Sequence, residues 1–210
     1  MEKEIDWIFI HNPKTGGETI RTLLNIPGEN KHARASQIKN IKEKYSFAFV
    51  RHPVSRMISW YNHLLKHKYF SEIKTNSLNN KSECYRKLKL KQKMTPIKER
   101  ELAERYNING WIKILLKKSE LFNKKAGPLS LQYTYIYSKT GEKLVSDVYK
   151  FENYTENLKT ILGKIGKEEL ISNIEKTNHS IKKNCELTEE SKKLIYEYFK
   201  KDFELFNYNL

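Results

Sequence analysis

Short apolar runs alternate along the chain with segments that have helical spacing. Trp7–Ile10 and Phe47–Val50 are rich in aromatic and branched residues, which predicts two buried strands. Each run is followed by a proline turn and then by apolar residues at helical spacing, over Glu18–Leu24 and Val54–Leu65. A third strand is predicted over Leu144–Phe151. Strands that alternate with helices predict an α/β fold with a central parallel sheet flanked by helices.

Most of the remaining chain is predicted to be helical or to form turns. Further helices are expected over Ser36–Ile41, Ile97–Tyr106, Gly110–Lys118, Asn153–Leu162 and Glu168–Ile174, over Cys84–Met94, and from Thr188, as the N-cap, towards the C-terminus. Lys139-Thr140-Gly141 is predicted to be a turn. Repeats and clear domain boundaries are absent from the sequence. We therefore expect one domain over residues 1–210, with a basic helical insertion at about 70–128 that could bind an acceptor.

Charge narrows the choice of partners. The 210 residues include 40 Lys and Arg against 25 Asp and Glu, which gives a net charge of +15. Such a charge favours nucleic acid, an anionic membrane surface or an acidic substrate. The sequence contains no arginine-rich tract, zinc-finger spacing or aromatic RNA-binding signature, so we expect no specific nucleic acid partner.

The two cysteines, Cys84 and Cys185, lie far apart in the sequence and form no metal-binding motif. We therefore expect no structural metal and a reduced environment. The N-terminus leads directly into the first strand, and no apolar run approaches the ~20 residues of a membrane span. The expectation is a cytoplasmic protein without a transmembrane segment.

The turn after the first strand carries the strongest chemical signal. Lys14-Thr15-Gly16-Gly17 supplies a cation, a hydroxyl and two glycines just before a predicted helix. Backbone N–H groups converge at a helix start and glycine allows close approach, so this turn is predicted to bind a phosphate-like group. It is not a Walker A loop, because there the glycines precede the lysine. An ordinary strand-to-helix turn with a surface lysine is the alternative.

A second anion-binding pair follows the second strand. Arg51 stands at the end of that strand, and Ser59 lies on the next predicted helix. A guanidinium and a hydroxyl in this arrangement suit a second phosphate.

The two motifs together resemble the cofactor motifs of sulfotransferases, especially the group that includes carbohydrate sulfotransferases. The resemblance is carried by Pro13-Lys14-Thr15-Gly16-Gly17, then by Arg51-His52-Pro53 and Ser59, and more weakly by Asp147–Asn153, Asn178-His179-Ser180 and Asp202–Phe206. It implies a fold like that of P-loop nucleotide hydrolases and a donor, PAPS (3′-phosphoadenosine 5′-phosphosulfate).

The resemblance also implies roles for particular residues. The 5′-phosphosulfate would be held by Lys14, Thr15, Gly16, Gly17, Glu18 and Thr19, and the 3′-phosphate by Arg51 and Ser59. Ser180 and Lys182 would belong to a loop that covers the donor. Glu18 departs from the small hydroxyl residue of many relatives.

The catalytic residues expected on this basis are Lys14 and a general base. Lys14 would stabilise charge on the departing bridging oxygen, and His32 would take the acceptor proton. His63, His67 and Glu18 are alternative bases. Cationic side chains neutralise charge in this scheme, so no metal is required.

The expected function is therefore in-line transfer of a sulfuryl group from PAPS to a hydroxyl or amine, with a glycan or glycolipid as acceptor. One alternative is a P-loop kinase-like phosphotransferase, which would need ATP and Mg²⁺. Another is a non-catalytic basic protein that binds nucleic acid or anionic glycan through its charge.

Overall fold

The fold contains a parallel sheet, whose strands lie before and after a mostly helical stretch of the sequence. The computed structural model describes residues 7–27, 32–76, 97–122, 124, 127–174 and 185–210, with side chains for all of these except 66–76, 97 and 98. Within these residues, strands β1 (Trp7–Ile10), β2 (Tyr45–Val50) and β3 (Asp147–Lys150) form one sheet in the order β1-β2-β3. Both pairings are parallel. With its flanking helices, this sheet confirms the predicted α/β fold.

Helices account for most of the other described residues. They are α1 (Gly17–Leu23), α2 (Pro53–Asn76), α3 (Ile97–Arg105), α4 (Ile108–Lys117), α5 (Tyr133–Ile136), α6 (Tyr154–Lys164) and α7 (Glu189–Leu205). Short 3₁₀ segments lie at Ala35–Gln37, Ser119–Leu121, Gly127–Leu129, Phe151–Asn153 and Glu168–Asn173. Over the ranges that the structure covers, each helix is too short or too polar to cross a bilayer.

The sequence predictions match these elements with differences at their ends. Helix α2 continues to Asn76, past the predicted end at Leu65. The predicted helix over Ser36–Ile41 is reduced to the 3₁₀ turn at Ala35–Gln37, and α5 was not predicted. The predicted helix over Cys84–Met94 lies outside the described residues.

Strand β2 is buried on both faces, which explains its continuous apolar sequence. Successive side chains of a strand point to opposite faces. Phe47 and Phe49 accordingly pack in one apolar cluster, which Ile20 of α1 joins together with Leu158, Ile161 and Leu162 of α6. Ala48 and Val50 pack in a second cluster, which Tyr135 and Ile136 of α5 join. The sheet therefore lies between two apolar layers.

The chain divides into two compact units. The first unit is drawn from Met1–His52, Leu131–Lys182 and Lys201–Asn209, and it contains the sheet with α1, α5 and α6. The second unit is drawn from Pro53–Ser130 and Lys183–Lys200, with the terminal Leu210, and it contains α2, α3, α4 and most of α7. The expectation of one domain over residues 1–210 stays a prediction.

The second unit has a helical core around Trp111. This side chain is fully buried, and its Nε1 donates a hydrogen bond to the Glu99 carbonyl at 3.1 Å. Arg56 is also fully buried, and its Nη2 donates to the Ser130 carbonyl at 2.7 Å. Thr188 caps α7 as predicted, because its hydroxyl accepts from the Ser191 N–H at 3.3 Å.

Glu99 on α3 is a buried carboxyl in this core. Its exposed fraction is 0%, and among the described residues neither carboxylate oxygen has a hydrogen-bond partner. A Cβ built on Gly127 would lie 3.5 Å from Oε2, so the carboxyl faces a position without a side chain. Burial raises the pKa of Glu99 to about 8. The carboxyl is therefore mostly protonated at neutral pH.

Replacing Glu99 should change how stability depends on pH. The folded-state pKa of about 8 lies above the unfolded value of roughly 4.3, so the folded protein binds the proton more tightly. The contribution of the Glu99 proton to the free energy of unfolding is fully present below pH ~4.3. It is lost as pH rises towards 8, by up to about 1.4 kcal/mol per pH unit. The Glu99→Gln protein should lack this loss, as measured by urea unfolding at pH 6, 7 and 8.

The matched control is Glu104→Gln, which changes an exposed carboxyl on the same helix. It should keep the wild-type pH slope. Equal slopes for Glu99→Gln and the wild type would show that the Glu99 carboxyl is not protonated in the folded protein.

Candidate functional site

The candidate site lies where the strands of the first unit end. β1, β2 and β3 end at Ile10, Val50 and Lys150, and the next residues are His11, Arg51 and Phe151. Because the strands are parallel, these three residues follow the same edge of the sheet. Open α/β sheets bind ligands outside this edge.

The loop between β1 and α1 has an unusual backbone. Lys14 has φ +68° and Gly16 has φ +81°, so both are in the left-handed region. This conformation costs a residue with a side chain roughly 1–2 kcal/mol, and such residues cluster at functional sites. Turns of this kind direct backbone N–H groups into anion-binding concavities. The loop thus has a backbone of the kind that forms such concavities, and its phosphate-binding role stays a prediction.

Buried hydrogen bonds fix this loop to the sheet. The Asn12 side chain donates to the Phe49 carbonyl of β2 at 3.0 Å. The Thr15 hydroxyl donates to the Asn12 carbonyl at 2.8 Å, and both side chains are fully buried. The Thr15 hydroxyl therefore holds the loop together in this structure, and its role in phosphate binding stays a prediction.

The two glycines stand where a side chain would collide with neighbouring rings. A Cβ on Gly17 would lie 2.1 Å from Cδ2 of His11. A Cβ on Gly16 would lie 2.7 Å from the ring of Tyr154 and 2.9 Å from that of Phe151. The Tyr154 hydroxyl also donates to the Gly16 carbonyl at 2.9 Å. The glycines therefore allow the loop to pack directly on three aromatic side chains.

Arg51 lies beside this loop. Its Nη1 donates to the Lys14 carbonyl at 3.3 Å, and its Cζ lies 4.4 Å from the centre of the Phe151 ring. A guanidinium over an aromatic face is a favourable arrangement. The structure thus brings together the two motifs that are 37 residues apart in the sequence.

The candidate bases lie in different places. His32 is exposed in the first unit, with its Nδ1 3.1 Å from the His11 carbonyl and its ring 4.5 Å from the His11 ring. Glu18 is exposed in the first turn of α1. His63 lies edge-on to Trp60 in the second unit, and the His67 side chain is outside the described residues. His32 is thus placed at the strand-end edge, and its role as base stays a prediction.

The structure describes some of the other predicted donor-binding residues but not all of them. Thr19 is half-buried, and its N–H donates to the Gly16 carbonyl at 3.1 Å. Ser59 is half-buried on α2 in the second unit. Ser180 and Lys182 lie outside the described residues. Donor binding by these residues stays a prediction.

Sequence reasoning overlooked His11 and Tyr154, which pack against the glycines. His11 could have been noticed because it directly follows the last residue of β1, as Arg51 follows β2. Tyr154 has no comparable signal, because 138 residues separate it from Gly16.

Comparison with known proteins gives one clear result. Residues 8–209 match the model of a protein family that is described as the Sulfotransferase family. Neither the curated proteins nor the solved structures contain a match to the chain.

Gly17→Ala should destabilise the folded protein, because the new methyl group would collide with the His11 ring at 2.1 Å. We expect a loss of about 1–3 kcal/mol in the free energy of unfolding, as for other overpacked sites. Urea unfolding measures this loss. The control is Gly163→Ala on α6, where the nearest atom would be 3.9 Å from the new Cβ. The control should be neutral or slightly stabilising, and a neutral Gly17→Ala would contradict the packing described above.

Proposed function

The chain belongs to the sulfotransferase family, and we propose from this and from the site geometry that it transfers a sulfuryl group from PAPS to an acceptor hydroxyl or amine. The observation that carries the proposal is the contact between Arg51 and the Lys14 loop at 3.3 Å. It places the Arg51 guanidinium against the backbone of the glycine loop that carries Lys14, so two cationic residues belong to the same edge of the sheet.

The residues present fit a donor with a phosphosulfate at one end and a phosphate at the other. Gly16 and Gly17 let the loop pack closely on the rings of His11, Phe151 and Tyr154, and this packing supports a loop shaped to direct backbone N–H groups at a phosphate. Arg51 has a planar guanidinium that can bind a phosphate with two parallel hydrogen bonds. PAPS would supply the activated sulfuryl group, and the side chains of this chain would bind and orient it.

Lys14 is the proposed catalytic cation. Sulfuryl transfer resembles phosphoryl transfer, in which the protein contributes positioning and charge neutralisation. The Lys14 ammonium group would stabilise the negative charge that develops as the donor's bridging oxygen departs. Its carbonyl accepts a hydrogen bond from Arg51, and the neighbouring Thr15 hydroxyl donates to the Asn12 carbonyl, so the backbone that carries the side chain is restrained.

We propose His32 as the general base, because it lies at the same edge as the loop and has a ring nitrogen that can take a proton. The acceptor is proposed to be a glycan or glycolipid, for which the net charge of +15 favours an anionic sugar. The basic region at about 70–128 is proposed to contribute to its binding. A cytoplasmic location stays an expectation from the sequence.

The first test is binding of the desulfated product, PAP, measured by calorimetry against ATP. We expect PAP to bind and ATP to bind far more weakly, with no requirement for Mg²⁺. Arg51→Ala should weaken PAP binding by about 10- to 100-fold, the effect of losing a charge-assisted hydrogen bond. Arg105→Ala removes an exposed arginine of α3 and should leave the affinity unchanged. Tight Mg²⁺-dependent binding of ATP would instead favour a kinase.

The second test concerns Lys14. Lys14→Ala should lower the rate of transfer from radiolabelled PAPS by about 100-fold or more, as expected when a group that stabilises transition-state charge is lost. The acceptor would come from a screen of glycans and glycolipids. Lys139→Ala is the control, because Lys139 precedes Thr140-Gly141 in an exposed turn that repeats part of the loop sequence. Wild-type turnover by a folded Lys14→Ala protein would overturn the assigned chemistry.

A further inference from the structure

The Gln132 side chain forms hydrogen bonds with both the N–H and the carbonyl of Arg51. Its Oε1 accepts a hydrogen bond from the Arg51 N–H at 2.9 Å, and its Nε2 donates to the Arg51 carbonyl at 2.9 Å. Gln132 is fully buried. β2 ends at Val50, so the amide side chain satisfies backbone groups just beyond the end of the strand. Arg51 is thereby fixed at its Cα while its guanidinium extends towards the Lys14 loop.

The Asp202 carboxylate in turn forms hydrogen bonds with the backbone N–H groups of Gln132 and the residue after it. Its Oδ2 accepts from the Gln132 N–H and its Oδ1 from the Tyr133 N–H, both at 2.9 Å. Asp202 is also fully buried. Hydrogen bonds to a carboxylate are stronger than those between neutral groups, so this residue near the C-terminus restrains the start of α5.

We propose that Gln132 and Asp202 are positioning residues for the donor site. They act through Arg51, because Gln132 binds the Arg51 backbone and Asp202 binds the backbone at Gln132, and donor affinity depends on both. This proposal rests on the proposed function, because it assumes that Arg51 binds a donor phosphate. The physical basis is preorganisation: a guanidinium whose backbone is already fixed loses less conformational freedom when the phosphate binds.

The side-chain contacts of Arg51 show why the backbone position matters. Nη1 reaches the Lys14 carbonyl at 3.3 Å, and Cζ lies 4.4 Å from the Phe151 ring centre. Both contacts lie at the far end of a flexible side chain. A small rotation at the Arg51 backbone would therefore displace the guanidinium from the loop and from the ring.

The decisive experiment is a double-mutant cycle with PAP as the probe and calorimetry as the readout, which requires no acceptor. Gln132→Met keeps the length of the side chain and removes both hydrogen bonds to Arg51. We expect it to raise the Kd for PAP about 10-fold in the wild-type background. In the Arg51→Ala background it should have almost no effect on the Kd, because the guanidinium through which Gln132 acts is absent.

The matched control is Gln37→Met. The Gln37 Oε1 accepts from the Arg34 N–H at 2.8 Å, so this control also removes a bond between a glutamine side chain and an arginine backbone, at an exposed position. It should leave the Kd for PAP unchanged. A purely structural role for Gln132 would lower affinity equally with and without the Arg51 side chain, and that result would overturn the proposal.

Asp202→Asn provides a second variant if Gln132→Met does not fold. An asparagine can accept one of the two backbone hydrogen bonds, so we expect a smaller rise in Kd, about 3-fold, that again disappears with Arg51→Ala. If wild-type protein does not bind PAP, the proposed function fails. If the wild type binds PAP and both variants bind it equally well, only the positioning role fails.

Discussion

The parallel register of the sheet is the constraint on which the candidate site depends. Ile10 pairs with Ala48, and Val50 pairs with Lys150, so the residues after the three strands follow one edge. Burial on both faces fixes this register, because a shift by one residue would exchange the side chains of the two apolar layers. The contacts of Arg51 with the Lys14 loop and with Phe151 then follow from where the strands end.

Local signals in the sequence were sufficient for the fold class and for the position of the loop between β1 and α1. The apolar strands β1 and β2, the turn after each strand and the helical spacing that follows are all local, and such patterns report secondary structure directly. The strand-end position of Arg51 was also readable, because it depends only on where an apolar run stops. These elements account for the parallel sheet and for the two motifs at its edge.

Long-range contacts were not readable from one sequence. Gln132 lies 81 residues from Arg51, and Asp202 lies 70 residues from Gln132, yet these residues form one hydrogen-bonded chain. A glutamine beside tyrosines gives no local sign that its amide will bind a distant backbone. Burial of polar groups also depends on tertiary packing, so the fully buried Thr15 could not be distinguished from an exposed phosphate ligand.

The left-handed backbone at Lys14 has a consequence for the evolution and engineering of the protein. Glycine would adopt φ +68° without steric cost, so a lysine there lowers the stability of the fold by roughly 1–2 kcal/mol. Exchanging it for glycine would relieve the backbone and discard the ammonium group in the same step. Given the catalytic role proposed for Lys14, selection for thermal resistance and selection for turnover would act in opposite directions at this one position.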